Sequence, residues 1–97
     1  MSEALSLDEI TASLAELPGW TFADAALQKD FVFEHFREAI SFLVRLSFEA
    51  EALNHHPEIQ NVYNRVSLRL TTHDAGNQVT ALDLALARAI EAFNWNR

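Results

Sequence analysis

The sequence predicts an α+β fold, in which a four-stranded antiparallel sheet carries three helices on one face in the order α-β-β-α-β-β-α. Three segments place apolar residues at helical spacing, and four shorter segments show the two-residue alternation of strands. The strand segments come in two pairs, each joined by a short connection. Such connections favour hairpins and therefore antiparallel pairing, with the helices gathered on the apolar side.

The three helices are predicted from their start signals and apolar stripes. The first spans residues 6–17 and begins with a capping box, and the longest spans residues 35–54. The last begins at Thr80, where Asp83 completes a second capping box. The apolar stripes consist of Leu7, Ile10, Leu14 and Leu17; of Phe36, Ala39, Ile40, Leu43, Leu46, Ala50 and Leu53; and of Leu82, Leu86, Ala89, Ile90 and Phe93.

The four strands are predicted from alternation. The first two flank a turn at residues 23–26, and the last two, residues 58–62 and 65–72, flank a turn at Tyr63-Asn64. One face of the sheet is expected to be apolar and the other polar. The apolar positions are Trp20 and Phe22; Leu27, Phe31 and Phe33; and Val66, Leu68 and Leu70.

Size and composition restrict the class of protein. Ninety-seven residues, 49% of them hydrophobic, fit one domain over residues 1–97. Apolar runs are far shorter than the roughly 20 residues that cross a bilayer, and the acidic start MSEALSLDEI is unlike a signal peptide, so no membrane partner and a cytoplasmic location are expected. The net charge of -7 argues against nucleic acid as a partner, and the absence of cysteine excludes disulfides and thiolate metal ligands.

Two of the four histidines are adjacent, in the stretch Glu51-Ala-Leu-Asn-His55-His56-Pro57. On a continuous helix the side chains of Glu51 and His55 would meet, because residues four apart share a face. Pro57 disfavours the helical conformation for His56. His73 lies where the last strand runs out into a loop, and a strand end and a helix end can converge at one rim. Three imidazoles are therefore candidates for one pocket.

Three interpretations of these histidines remain open on the residues alone. Histidines at a helix C-terminus interact favourably with the helix dipole. Three histidines with an open position can hold a catalytic zinc ion, although adjacent histidines rarely share one ion and the HExxH spacing is absent. The third interpretation is metal-free acid-base catalysis, for which histidine is suited near neutral pH.

A motif with fixed spacing consists of Glu51-x3-His55-His56-Pro57, then Tyr63, His73 and Asp83. It resembles the signature of the pterin-4a-carbinolamine dehydratase family. The segments NVYNRVSLRLTTHDAG and FVFEHFREAISFL are also similar to that family, so the resemblance covers nearly the whole chain. One departure is the stretch Gly76-Asn77-Gln78-Val79, where family members usually carry paired glycines, and it bears on substrate preference.

The resemblance implies dehydration of 4a-hydroxytetrahydropterin, the 4a-carbinolamine, to quinonoid dihydropterin. This reaction recycles the pterin cofactor of aromatic amino acid hydroxylases. It requires one proton delivered to the departing hydroxyl and one removed from the ring nitrogen N5, so no metal and no other cofactor is expected. The resemblance also implies the family fold and a homodimer or homotetramer formed through sheet strands and helices.

The resemblance also implies roles for individual residues. His55 and His73 are the expected proton-transfer pair, with His56 orienting the pterin and sharing acid duty. Glu51 is expected to orient His55. Backbone groups of three further residues are expected to meet the amide edge of the heterocycle. These are the residues Pro57, Thr72 and Asp74.

A second functional hypothesis belongs to another class. Animal members of the family also act as dimerisation cofactors for a homeodomain transcription factor, so the chain could be a protein-binding module with a vestigial pocket. The presence of all three motif histidines favours an enzyme. Asp83 is expected to be a helix cap, Trp20 a core or rim residue and Tyr63 a residue of the turn and of subunit packing. His35 is assigned no role.

Overall fold

A computed structural model describes residues 3–95; the first two and last two residues of the predicted 1–97 domain lie outside the described residues. The helices and strands follow the predicted order, which confirms the fold class. The helices are α1 (Leu7–Leu14), α2 (Phe36–Leu53) and α3 (Ala81–Phe93). The strands are β1 (Thr21–Ala23), β2 (Ala26–Val32), β3 (Glu58–Val62) and β4 (Arg65–Leu70), with a 3-10 turn at His73–Ala75 before α3. Within the described residues no helix is both long and apolar enough to span a membrane.

The sheet is antiparallel throughout, with strand order β1-β2-β4-β3. The register pairs Leu27 with Leu70 and Phe31 with Val66, so the apolar positions of β2 and β4 lie on the same face. β3 lies at one edge, where Ile59 pairs with Leu68 of β4. The last strand of the sheet in the chain therefore lies in its interior, and its C-terminal end leads directly into the loop that carries His73.

One apolar core joins the three helices to one face of the sheet. The predicted apolar positions of β2 and β4 are almost fully buried, as are the central stripe residues of α2 and α3. Burying each such aliphatic or aromatic side chain contributes about 1.5–3 kcal/mol. Large core residues with at most 2% exposure are Leu27, Phe31, Phe42, Leu46, Leu68, Leu70, Leu86 and Ile90.

Two predicted boundaries differ from the structure by two residues or more. α1 ends at Leu14, three residues before the predicted end, because Pro18 disfavours helical backbone in the residue before it and the chain closes in tighter turns. β4 ends at Leu70 rather than at residue 72, and Thr72 instead forms an isolated bridge with Gln78. Both capping boxes are confirmed.

Trp20 lies before β1 and is a core residue, as expected. Its indole Nε1 donates a hydrogen bond to Oε2 of Glu91 in α3 at 3.0 Å. Lys29 of β2 pairs with the same oxygen at 2.7 Å and also donates to the carbonyl oxygen of Pro18. This cluster connects the α1–β1 turn, the sheet and the last helix.

Candidate active site

The C-terminal end of α2 turns His55 out of the helix. Asn54 adopts the left-handed conformation, with φ 49° and ψ 44°. The backbone N–H of Asn54 donates to the carbonyl of Glu51, and that of His55 donates to the carbonyl of Ala50. This is the Schellman arrangement, in which asparagine is the commonest substitute for glycine at the left-handed position. His55 therefore does not continue the helical face that carries Glu51.

The loop between β4 and α3 brings His73 to the same end of the sheet. The backbone N–H of Thr72 donates to the carbonyl of Gln78 at 2.8 Å, and that of Asn77 donates back to Thr72 at 3.0 Å. Gly76 and Asn77 both have positive φ, 72° and 59°. Asparagine adopts positive φ more readily than most other residues. The chain therefore closes the loop with one glycine and one asparagine, where the family that the sequence resembles usually has two glycines.

A single open cavity of about 710 Å³ lies between these two segments. His55, His56 and His73 all line it, so the structure brings the three motif histidines together. Pro57, Thr72 and Asp74 line it as well, whereas Glu51 is not among the lining residues. The remaining lining residues are Leu53, Asn54, Glu58, Arg69, Thr71 and Leu82.

The imidazole of His55 contacts a carboxylate at the start of α3. Its Nε2 lies 2.6 Å from Oδ1 of Asp83, the third residue of α3. His55 is 8% exposed and Asp83 is fully buried. A buried carboxylate against one ring nitrogen fixes the orientation of an imidazole and stabilises the imidazolium that forms during proton transfer. Asp83 is thus both the expected helix cap and a partner of a motif histidine.

Two threonines complete the environment of Asp83. Its Oδ2 accepts from the backbone N–H of Thr80 at 2.8 Å and from the hydroxyl of Thr72 at 2.8 Å. The two hydroxyls lie 2.6 Å apart. Thr72 and Thr80 are both buried, so these bonds are shielded from water. The side chain of Thr72 therefore points to Asp83, and the residue also lines the cavity.

The expectation that Glu51 orients His55 is wrong. Oε2 of Glu51 lies 2.5 Å from Nε2 of His56, and both side chains are more than half exposed. The expectation assumed a helix that continues through His55, but the left-handed backbone at Asn54 ends it two residues earlier. Glu51 therefore acts on the second histidine of the pair, and Asp83 acts on the first.

His73 is the most loosely held of the three. It is exposed, and its Nδ1 lies 3.4 Å from Oδ1 of Asn77, at the outer limit for a hydrogen bond. Its position at the first residue of the 3-10 turn directs it by backbone geometry rather than by a strong side-chain partner.

Sequence reasoning missed two groups at this site. The sequence predicts only a helix cap at Asp83, although Asp83 is the last residue of the motif and contacts His55. Arg69 and Glu58 pair across β3 and β4 at 3.3 Å and line the cavity. Arg69 also donates to the backbone carbonyl of Asp24 at 2.7 Å. Arg69 lies two residues before Thr71, on the same face of the predicted strand, and this spacing is the signal in the sequence that places Arg69 beside the cavity.

Metal ligation is the alternative use of histidine that the residues left open. Among residues 3–95, no three or more histidine, aspartate or glutamate side chains are grouped so that they could hold a metal ion. The nitrogen atoms of His55 and His56 that face carboxylates pair with different ones, Asp83 and Glu51. The arrangement described by the side chains is therefore two separate histidine–carboxylate pairs and a third histidine across the cavity.

Comparisons with known proteins find relatives that match nearly the whole chain. A family model described as pterin 4 alpha carbinolamine dehydratase matches residues 3–93. A relative from Opitutus terrae is 55% identical over 98% of both chains, and one from Mesorhizobium japonicum is 48% identical over 94% of both. Both carry the name pterin-4-alpha-carbinolamine dehydratase as an inferred assignment.

A solved structure gives the same result for the fold. The protein from Brucella melitensis, described as a transcriptional coactivator/pterin dehydratase, superposes with a TM-score of 0.86 at 40% sequence identity. The match covers 92% of this chain and 96% of that one. The chain belongs to the pterin 4 alpha carbinolamine dehydratase family, a family of hydro-lyases.

Proposed function

We propose that this chain dehydrates 4a-hydroxytetrahydropterin to quinonoid dihydropterin by histidine acid-base catalysis without a metal ion. The observation that carries the proposal is that His55, His56 and His73, from two distant segments, line one open cavity. Family membership supports the substrate class, because the family is named for this reaction. The cavity of about 710 Å³ is large enough for a bicyclic heterocycle.

The reaction requires two proton transfers at neighbouring atoms of the substrate. One proton leaves N5 and another is delivered to the hydroxyl on C4a, which departs as water. Each positioned acid or base supplies about 10²–10⁴-fold in rate. We assign the transfers to His55 and His73, with His56 orienting the pterin and sharing acid duty. The backbone groups of Pro57, Thr72 and Asp74 would meet the amide edge of the heterocycle.

The proposal extends to the biological setting. The product is the form from which the cofactor of aromatic amino acid hydroxylases is regenerated, so the reaction would recycle that cofactor in the cytoplasm. A functional link to such a hydroxylase, and the cytoplasmic setting itself, remain predictions.

The experiment is a stopped-flow assay of 4a-hydroxytetrahydropterin breakdown with and without the protein. His55→Ala and His73→Ala should each lower kcat by about 10²-fold or more. His35→Ala is the matched control, because His35 is exposed at the start of α2 and does not line the cavity. Unchanged breakdown in the His55→Ala/His73→Ala double variant would remove the catalytic assignment.

Metal independence is tested separately. The purified protein should carry no stoichiometric zinc by elemental analysis, and its activity should be unchanged by a chelator. A loss of activity on chelation that is restored by one metal ion would replace the acid-base mechanism with a metal-assisted one.

We also propose that the chain forms a homodimer or homotetramer. An exposed apolar stripe at four-residue spacing on α2 supports this. Charged or polar residues would be expected at these positions if the helix faced water. β3 supports it too, because it is an edge strand with open backbone groups and exposed apolar side chains. The stripe consists of Phe36, Ile40, Val44 and Phe48.

The second candidate function is a protein-binding module that uses this stripe. The name of the Brucella melitensis structure includes a coactivator role for that protein. A vestigial pocket has no requirement for the buried His55–Asp83 pair, whose polar groups are costly to bury without use. The enzyme is therefore preferred. A protein whose His55→Ala/His73→Ala variant keeps full biological function in cells would instead favour the binding module.

A further inference from the structure

The proposed function leaves the base and the acid unassigned. We infer that Thr72, acting through Asp83, holds His55 in the tautomer with hydrogen on Nε2, so that the Nδ1 lone pair faces the cavity and removes the N5 proton. Thr72 and Asp83 are then positioning residues, and His55 is the base. The chemical part of this inference rests on the proposed function, whereas the tautomer does not.

Hydrogen accounting around Asp83 carries the tautomer. An ionised carboxylate offers acceptors only. Its Oδ2 already receives the N–H of Thr80 and the hydroxyl of Thr72, and its Oδ1 lies 2.6 Å from Nε2 of His55. A lone pair of the ring nitrogen and a lone pair of the carboxylate oxygen cannot approach so closely without a hydrogen between them. Nε2 of His55 therefore carries the hydrogen that completes the set.

The two threonine hydroxyls give this network one direction. Each hydroxyl has a single hydrogen. Because Thr72 donates its hydrogen to Asp83, the 2.6 Å contact between the hydroxyls must use the hydrogen of Thr80. The Thr80 oxygen in turn accepts from the backbone N–H of Leu82 at 3.2 Å. The order of donation runs from α3 backbone to Thr80, to Thr72 and then to Asp83, and Thr72 cannot reverse it without leaving Oδ2 short of a donor.

The other ring nitrogen of His55 is open to the cavity. In the part of the chain that the structure describes, Nδ1 of His55 has no hydrogen-bond partner. It is nevertheless not a fully buried atom, because the one side-chain polar atom there that is both fully buried and without a partner is Oε1 of Glu38. Nδ1 is therefore accessible rather than sealed in the core. Since His55 lines the cavity and is otherwise buried, the accessible nitrogen faces the cavity.

This arrangement assigns the proton movements. The N5–H bond breaks and its proton moves to Nδ1 of His55, while the N5 electron pair forms the C4a–N5 double bond. The C4a–O bond breaks, and the hydroxyl leaves as water with a proton from His73 or His56. The imidazolium on His55 is stabilised by the Asp83 carboxylate. Return of that proton through solvent to the acid restores the enzyme, so the substrate loses one water molecule overall.

The tautomer is measured directly by the ¹⁵N chemical shifts of the imidazole nitrogens at a pH where His55 is neutral, with His55 identified by its absence in His55→Ala. The wild-type protein should show hydrogen on Nε2. In Asp83→Asn the amide can donate to Nε2, so the hydrogen should move to Nδ1. A wild-type His55 with its hydrogen on Nδ1 overturns the inference whether or not the protein is a dehydratase.

Thr72→Val tests the positioning role without changing a charge. It should leave His55 in a mixture of tautomers and lower kcat by about 10-fold with KM within about 2-fold, since one bond to a charged group is lost. Thr72→Ser should restore both the tautomer and kcat. Thr21→Val makes the same exchange on exposed β1, away from the cavity, and should change neither.

The outcomes separate the two proposals. If Thr72→Val keeps the wild-type tautomer and kcat, Thr72 has no positioning role and the inference fails, even if Asp83→Asn is too unstable to study. If the tautomer behaves as expected but the protein does not accelerate dehydration, the proposed function fails and the assignment of the His55 tautomer stands.

Discussion

Oε2 of Glu51 lies 2.5 Å from Nε2 of His56, whereas the neighbouring His55 contacts Asp83, 28 positions further along the chain. Two adjacent histidines thus have different carboxylates in different environments. The His56 pair is exposed and the His55 pair is buried. Electrostatic interactions weaken strongly in water, so the two carboxylates are expected to contribute unequally to the chemistry.

Glu51→Gln should have a small effect on activity. The exposed pair with His56 contributes little, so kcat/KM should fall by at most about fivefold, and the difference should shrink at high salt. The control is Glu49→Gln, which breaks a partly exposed pair with Arg45 away from the cavity. A loss of a hundredfold or a change in the His55 ¹⁵N shifts would contradict this division between the two carboxylates.

The left-handed residue at the end of α2 should be sensitive to substitution in a defined way. Asn54→Gly should leave stability nearly unchanged, because glycine adopts φ 49° freely, whereas Asn54→Ala should cost about 1 kcal/mol. Ala52→Gly, in the last turn of the same helix, should instead lower the free energy of unfolding by about 0.5–1 kcal/mol, because glycine is unfavourable in helical backbone. Urea denaturation measures all three. Equal effects of glycine at both positions would mean that the turn does not hold its conformation in solution.

The ion pair between Lys29 and Glu91 should be costly to break from one side. The side chains are only 14% and 12% exposed, so Glu91→Ala leaves the Lys29 charge poorly solvated and should lower the free energy of unfolding by about 3 kcal/mol. The double variant Lys29→Met/Glu91→Gln should recover much of that loss, because glutamine keeps an acceptor for Trp20. Glu49→Ala, which breaks the more exposed pair with Arg45, should by contrast cost less than about 1 kcal/mol. A double variant as unstable as Glu91→Ala would assign the loss to packing instead.

Adding charge to the exposed apolar stripe of α2 (Phe36, Ile40, Val44 and Phe48) should dissociate the proposed oligomer. Phe48, which is 67% exposed, is the natural position, and Phe48→Glu should shift the protein to monomer in sedimentation velocity because a carboxylate is costly to bury. Ala12→Glu adds the same charge at an exposed position of α1, away from the α2 stripe, and should leave the assembly intact. A wild-type monomer at all concentrations would end the oligomer proposal.

The sequence predicted most of the fold because its signals are local. Both capping boxes and the alternation of Val66, Leu68 and Leu70 depend on residues within a few positions of each other. Such patterns follow from the helical and strand periods alone. Of the predicted α2 stripe, Ala39, Leu46 and Ala50 are buried, whereas Phe36 and Ile40 are exposed. The boundary errors at residues 15–17 and 71–72 occur where the ends of elements depend on neighbouring turns.

The site was only partly accessible in this way. The sequence by itself identified the three histidines and the two segments that carry them, since their spacing and the flanking proline are visible along the chain. Their partners were decided by tertiary structure. Asp83 reaches His55 only because the start of α3 packs beside the end of α2, and Glu51 reaches His56 because Asn54 turns the backbone left-handed. Local periodicity cannot specify contacts that depend on how separate elements pack, and at this site those contacts hold two of the three imidazoles.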